Sequence, residues 1–339
     1  MTREFKQFDI ICANDEVNSI SDHHYVSASN SLSASATKQI MKEWRILEKN
    51  LPDSIFVRVY EGRVDLLRAV IIGPTGTPYH DGLFFFDIQV PSNYPASPPK
   101  VHYRSFGYTL NPNLYSSGKV CLSLLNTWSG HENQKWNPSQ STILQVLVSI
   151  QGLVLNARPY YNEPGNGSYS SSSQYYRKIS SSYNEDVFIM SCKTMMATLN
   201  RPPKSFEEFV SRHFRDRASS ILVACNAYVN GQANIGSPVT TTATAETTSL
   251  TSTKFKMEVA FQYPRLVDSF MKNGSPLEII ELLDASKEMR KELGKERDRR
   301  NRCNEKICML VVGIYVLVCV IIVVTVKIWA SNSKSISNE

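Results

Sequence analysis

"GLFFFDIQVPSNYPASPPKVHY", residues 82 to 103, passes from a phenylalanine-rich run through a proline-laden connection into a second short apolar segment. "LFFFDIQV" has the aromatic and branched content of a strand, and "KVHY" reads as another beyond the turn residues. Upstream, "SIFVRVYEG" (54–62) and "LLRAVIIG" (66–73) bracket a short polar connection and read as a hairpin, with the turn-rich "GPTGTPYHDG" after it. Before them, "ATKQIMKEWRILEKNL" (36–51) sets Ile40, Trp44 and Leu47 on one helical face and Lys38, Lys42 and Arg45 elsewhere. A helix followed by a four-stranded meander argues for an α+β domain built on an antiparallel sheet.

Downstream lies "LNPNLYSSGKVCLSLLNTW" (110–128), with one cysteine between a polar turn and an apolar run. A catalytic cysteine needs thiolate character, access and a donor for the oxyanion formed in acyl transfer. Asn113, eight residues before Cys121 on an Asn-Pro-Asn turn, carries a suitable amide. His102 and His131 flank the segment only at a distance, so no base of its own is evident. Such a cysteine can still accept an already activated acyl group, because a thiol of ordinary pKa, about 8.5, supplies a few per cent thiolate near neutrality. From these residues alone two readings stay open: an acyl carrier, or a small core cysteine.

"STILQVLVSIQGLVLN" (141–156) is apolar nearly all round and reads as a central helix. "EDVFIMSCKTMMATL" and "SFEEFVSRHFRDRASSILVACNAYV" are amphipathic helical segments separated by the breaker "RPPK" (201–204). Residues 1–35, ending in a Ser-rich stretch, are expected to be a flexible arm, and the Thr/Ser-rich 231–253 a linker. Residues 254–306 read as a helical stalk, and 307–326, "ICMLVVGIYVLVCVIIVVTV", as a membrane span. That run of about 20 uncharged residues, at about 1.5 Å each, matches the roughly 30 Å of a bilayer's hydrocarbon core. Lys295, Arg297, Arg299, Arg300, Arg302 and Lys306 crowd its N-terminal side, whereas only Lys327 and Lys334 follow. The positive-inside rule therefore leaves the bulk of the chain in the cytosol, with a short tail (327–339) across the membrane.

The 339 residues, 42% hydrophobic, support a real core, and a net charge of +6 is too mild and too local to suggest nucleic-acid binding. Seven cysteines at 12, 121, 192, 225, 303, 308 and 319 form no CxxC pair and no zinc spacing, so no metal site or disulfide framework is expected. His23 and His24 adjoin but have no ligand partners nearby in sequence.

The ordered set "GPTGTPYHDGLFFFDIQVPSNYPASPPKV", "NPNLYSSGKVCLSLL", "WNPS" and the apolar helix after it resembles the ubiquitin-conjugating enzymes, over roughly residues 36–185. The resemblance implies that fold, with C-terminal helices in 186–230, and a thioester of ubiquitin on Cys121. It further implies oxyanion stabilisation by Asn113, a lysine-orienting acid at Glu163, and contact of Lys38 and Lys42 with the ubiquitin-activating enzyme. ATP would be consumed by that enzyme, with no cofactor bound here. The family's turn usually opens with His where this chain has Asn111, and Ser123 stands where Asp or Asn is common. Ala96 replaces a large hydrophobe that often touches a ligase, and "LNTWSGHENQKWNPS" (125–139) is longer than in minimal members. These departures resemble a large atypical branch that includes the giant apoptosis-inhibitor and plant phosphate-homeostasis types, some of which combine conjugating and ligase activity. The expected partners are ubiquitin, the activating enzyme, a ligase and protein substrates, membrane proteins among them, at the endoplasmic reticulum. A non-catalytic membrane adaptor, or an enzyme for another ubiquitin-like modifier, stands as the alternative.

Overall fold

Alternation along each strand decides which way the sheet faces. The computed structural model describes residues 5–28, 31–163, 165–166, 173–236 and 251–276, together with 294, 298 and 302. The chain divides into two units, 1–279 and 280–339. The first unit opens with strand β1 (Phe8–Ile11), helix α1 (Ala13–Ser19), helix α2 (Ala34–Asn50), and strands β2 (Ile55–Tyr60), β3 (Leu66–Ile72), β4 (Leu83–Gln89) and β5 (Lys100–Tyr103). Helices α3 (Ile143–Ser149), α4 (Gln174–Asn200), α5 (Glu207–Val229) and α6 (Thr253–Lys272) complete it.

The five strands form one sheet in sequence order. The β2–β5 meander expected from the sequence is present and antiparallel. The fifth strand, β1, is an addition: it pairs parallel to β2, with Phe8 opposite Val57 and Ile11 opposite Tyr60. Val57 and Val59, Ala69 and Ile71, and Phe84, Phe86 and Ile88 point to one face. There they meet Ile40, Trp44 and Leu47 of α2 and Val146 and Leu147 of α3 in one buried cluster. Ser33 caps α2 by accepting the Ala36 N–H at 3.1 Å. Glu43, buried on α2, accepts from the Tyr94 hydroxyl (2.7 Å) and the Ile143 N–H (3.0 Å), tying α2 to the start of α3. Burial raises its carboxyl above the ordinary value, and those two bonds oppose the rise.

Residues 1–35, expected to be a flexible arm, contain β1 and α1 and a segment docked on the opposite face of the sheet. Phe5 packs 4.9 Å from Phe209 and 5.7 Å from Phe206. Arg68, fully buried, bonds Asp87 (2.6 Å) and Asp22 (2.6 Å), and Asp22 also takes Arg104 at 2.8 Å. The contacts that hold this segment join residues far apart in sequence, which a composition rich in Ser does not reveal. The expected stalk likewise begins as something else. Residues 253–272 are α6, with Phe255, Val259, Tyr263, Leu266 and Phe270 buried. Ser252 at the head of α6 donates to the Glu185 carboxylate through its N–H (2.8 Å) and hydroxyl (2.5 Å).

The segment 141–156 is shorter as an α-helix than its apolar length suggested. It runs as α3 to Ser149 and continues as a π-helical turn, Ile150–Val154, closed by a bond from the Leu155 N–H to the Ile150 carbonyl. Its outer side keeps Val148 at 43% and Leu153 at 65% exposure, so a continuous apolar pattern here reflects two surfaces, one buried and one open. Among the described residues no helix is long and apolar enough to cross a membrane; the expected span 307–326 and its flanking tail lie outside them.

Candidate active site

Turn chemistry builds the site from the segment after β5. His102 and Lys119 bridge antiparallel, as do Leu114 and Val120, so residues 103–120 return along the edge of β5 and deliver Cys121 just past a two-strand pairing. Gly118, at φ +85°, is required there: a Cβ would lie 2.0 Å from the His102 ring. A 3-10 turn, Ser123–Leu125, follows. Thr127 accepts the Leu122 N–H (3.0 Å) and donates to the Val120 carbonyl (2.8 Å), clasping both sides of the cysteine.

Cys121 and Asn113 are held face to face. The Cys121 N–H donates to the Asn113 carbonyl (2.9 Å), and the Asn113 amide donates back to the Cys121 carbonyl (2.9 Å). Cys121 is buried, at 1% exposure. Tyr115 lies beside it: its hydroxyl is raised above the ordinary value first by the electrostatic interaction with Cys121, then by burial, by a hydrogen bond with Cys121 and by Glu163. Glu163 is exposed, at the end of the 3-10 turn Pro159–Asn162. The structure thus brings Cys121, Asn113 and Glu163 into one neighbourhood and adds Tyr115, which the sequence pattern did not single out. Its signal was its place in the turn, two residues after Asn113 and six before the cysteine.

Asn111 occupies a fully buried position and uses its whole side chain. Its amide donates to the Tyr79 hydroxyl (2.8 Å) and the Val154 carbonyl (2.8 Å), and its oxygen accepts the Asn113 N–H (2.8 Å). Ser123 reaches the inserted loop, donating to the Ser129 carbonyl at 3.3 Å, with Gly130 pressed against it. His102 stacks on His24 at 3.5 Å and lies against Gly118, and His131 is exposed; neither is placed as a base for the thiol.

Beside the cysteine runs a groove of ≈ 590 Å³ between Leu122–Leu124, the inserted residues Asn133–Lys135, and Gln145, Ser149 and Leu153 of the helical wall. It is mainly amide and hydroxyl with an apolar rim, a lining suited to an extended peptide. Lys38 and Lys42 are not part of this site: they lie on α2, one turn apart, in no ion pair among the described residues. Ala96 lies on the connection between β4 and β5, whose Pro95 carbonyl accepts the Trp136 indole N–H (2.7 Å). Among the described residues no cluster of His, Cys, Asp and Glu is arranged to hold a metal ion.

A family model described as ubiquitin-conjugating enzyme matches residues 39–189. The chain is 51% identical over 277 residues to an Arabidopsis thaliana protein named putative ubiquitin-conjugating enzyme E2 38, covering 80% of this chain and 82% of that one. A second relative from the same plant, probable ubiquitin-conjugating enzyme E2 25, is 55% identical over 261 residues; these cover 76% of this chain but only 42% of that longer protein. A mouse protein named dual E2 ubiquitin-conjugating enzyme/E3 ubiquitin-protein ligase BIRC6 is 36% identical over 240 residues, 67% of this chain and 5% of that one.

Proposed function

The chain belongs to the ubiquitin-conjugating enzyme family, and from that premise we propose that Cys121 carries ubiquitin as a thioester and passes it to substrate lysines. The observation that carries this reading is the reciprocal hydrogen-bonded pairing of Cys121 and Asn113. In the first step the Cys121 thiolate attacks the thioester carbonyl on the activating enzyme. The new thioester forms and the activating enzyme's thiolate leaves. In the second, a substrate amine attacks the Cys121 thioester, an isopeptide bond forms, and the Cys121 thiolate leaves.

The tetrahedral oxyanion of the second step needs a donor. One N–H of Asn113 is held by the Cys121 carbonyl, and the other has no acceptor among the described residues and serves the oxyanion. Glu163 and Tyr115 orient the incoming ammonium, and the Glu163 carboxylate takes its proton. The polar groove beside Cys121 accommodates the extended C-terminus of ubiquitin, with Val148 and Leu153 as an apolar rest for the body of the modifier. Lys38 and Lys42 form the basic face of α2 that meets the activating enzyme. Residues 307–326 tether the enzyme to the endoplasmic reticulum, raising its effective concentration toward membrane-protein substrates. Likeness to a relative named as dual conjugating enzyme and ligase, with Ala96 at the usual ligase contact, supports intrinsic ligase activity.

Incubation with activating enzyme, ATP and ubiquitin should give an adduct on the full chain that thiol reductants cleave. Cys121→Ser should convert it to a reductant-resistant ester. An adduct with another modifier alone would redirect the reading to that modifier. No adduct with any would leave the chain a membrane adaptor. Alkaline carbonate that releases the full chain from membranes would overturn the tether.

A further inference from the structure

The turn that carries Asn113 and the turn that carries Glu163 come from different parts of the chain, yet side-chain amides and the Asn113 backbone N–H connect them. Asn156 donates to the Asn162 oxygen at 2.6 Å. Asn162 donates to the Asn111 oxygen and to the Val154 carbonyl, both at 3.2 Å. Asn111 accepts the Asn113 N–H at 2.8 Å, and Asn113 donates to the Cys121 carbonyl at 2.9 Å. The shared acceptor has a structural origin. The carbonyls at the end of a helical segment lack partners within it, and here the π-helical turn ends at Val154, whose carbonyl receives both Asn111 and Asn162. Asn162 is the residue immediately before Glu163, so its side chain anchors the acid's backbone.

Resting on the thioester-transfer reading above, we propose that Asn162 is a positioning residue that locks the Glu163 turn to the Asn113 turn, so that lysine acid and oxyanion donor are held in register for transfer. Two features give the relay its direction. Asn111 has its oxygen committed as an acceptor to Asn113 and Asn162, so position 162 must supply a donor. Asn162 in turn has its oxygen committed to Asn156, which fixes the amide's orientation. A carboxylate at 162 would keep the shape and the Asn156 bond but set negative charge against the Asn111 oxygen. Loading of Cys121 uses neither turn as a pair, because the attacking group there is the thiolate itself. The relay therefore acts on transfer and not on loading.

The test uses the full chain, loaded with ubiquitin and then discharged to free lysine in single turnover. Asn162→Asp and Asn162→Ala should load at the wild-type rate but discharge at least about tenfold more slowly at pH 8, the size of effect expected of a displaced catalytic group. The loss should fall on the maximal rate and not on the lysine concentration giving half of it. Asn156→Ala, which removes the orienting bond along with the Asn156 bonds to the Leu153 carbonyl (2.7 Å) and the Arg158 N–H (2.8 Å) but leaves Asn162 its own donors, should show the same loss to a smaller degree. Lowering the pH toward 4.5 protonates a growing share of an aspartic acid at 162, whose ordinary pKa is about 3.9, and restores its donor in that share. The Asn162→Asp rate relative to wild type should therefore climb, while the Asn162→Ala ratio stays flat. The titratable neighbours Tyr79, Tyr115, Tyr183 and Glu163 are common to all variants and cancel in that ratio. Asn166→Ala serves as control, since Asn166 bonds the Tyr160 carbonyl (3.1 Å) outside the relay. Wild-type discharge by the Asn162 variants, or an equal loss in Asn166→Ala, overturns the relay. A wild-type chain that does not load overturns the thioester reading and the relay with it.

Discussion

The two faces of the sheet are made by the same strands and held by different physics. On one face Val57, Ala69, Phe84 and Phe86 meet α2 and α3 in an apolar cluster, where stabilisation scales with area removed from water. On the other, Arg68 and Asp87 stand buried among Asp22, His23 and His24, covered by residues 5–28 and the start of α5. Burial is the largest influence on both charges and works against them, but the partners together outweigh it: Asp87, with Tyr60 and Asp22, raises Arg68, and Arg68, with His23 and the His24 N–H, lowers Asp87. An apolar face tolerates shape changes in proportion to volume, whereas a buried ion pair resists the loss of one partner far more than the loss of both.

That contrast can be broken in three ways, the largest first. Phe84→Ala, on the apolar face at 0% exposure, should cost about 4 kcal/mol in denaturant unfolding; a loss under about 1 kcal/mol would mean the core re-forms around the gap. Arg68→Met should cost about 3 kcal/mol by leaving Asp87 buried without its partner, and adding Asp87→Leu should recover most of it. If the double variant is as weak as the two single losses summed, the outer face is not governed by pairing. The smallest effect is a slope with pH. Burial lowers His23, and burial together with His24 lowers His102 to about 4. Both are bases depressed on folding, so between about 4 and 6.5 the unfolded chain binds more protons. Docking of residues 5–28 should be complete above 6.5 and weaken as pH falls toward 4. Protection factors of those amides, taken against the intrinsic exchange rate at each pH, should fall on acidification, and His23→Gln should flatten the trend. Protection that is unchanged with pH would remove the histidines from the latch.

The legible parts of the fold were those with local signatures. The β2–β3 hairpin, the strand "LFFFDIQV" and the apolar face of α2 follow from period and turn residues, and each lies close to its expected bounds. The eight-residue step from Asn113 to Cys121 was legible only through the family resemblance; the structure adds that the two backbones pair across it. Residues 5–28 were not. Their four-residue strand has no strong alternation, and their anchors are Phe206, Phe209, Arg68 and Asp87, up to some two hundred positions away. Tyr115 and Asn162 escaped for a related reason: each is an ordinary turn residue until the Glu163 turn is folded over the Asn113 turn.

By itself, then, the sequence determined an antiparallel α+β core, a family likeness that points to Cys121 and Asn113, and, in the 307–326 run, a segment with the composition of a membrane span. Only the tertiary structure decided that residues 5–28 close the back of the sheet and that α6 packs on α4 and α5. It alone joined Asn156, Asn162, Asn111 and Asn113 into one chain of amides. Backbone period and turn chemistry act over a few residues and are written locally. The bonds of the latch and the relay join side chains that come within reach only after the sheet and its covering segments have found their places.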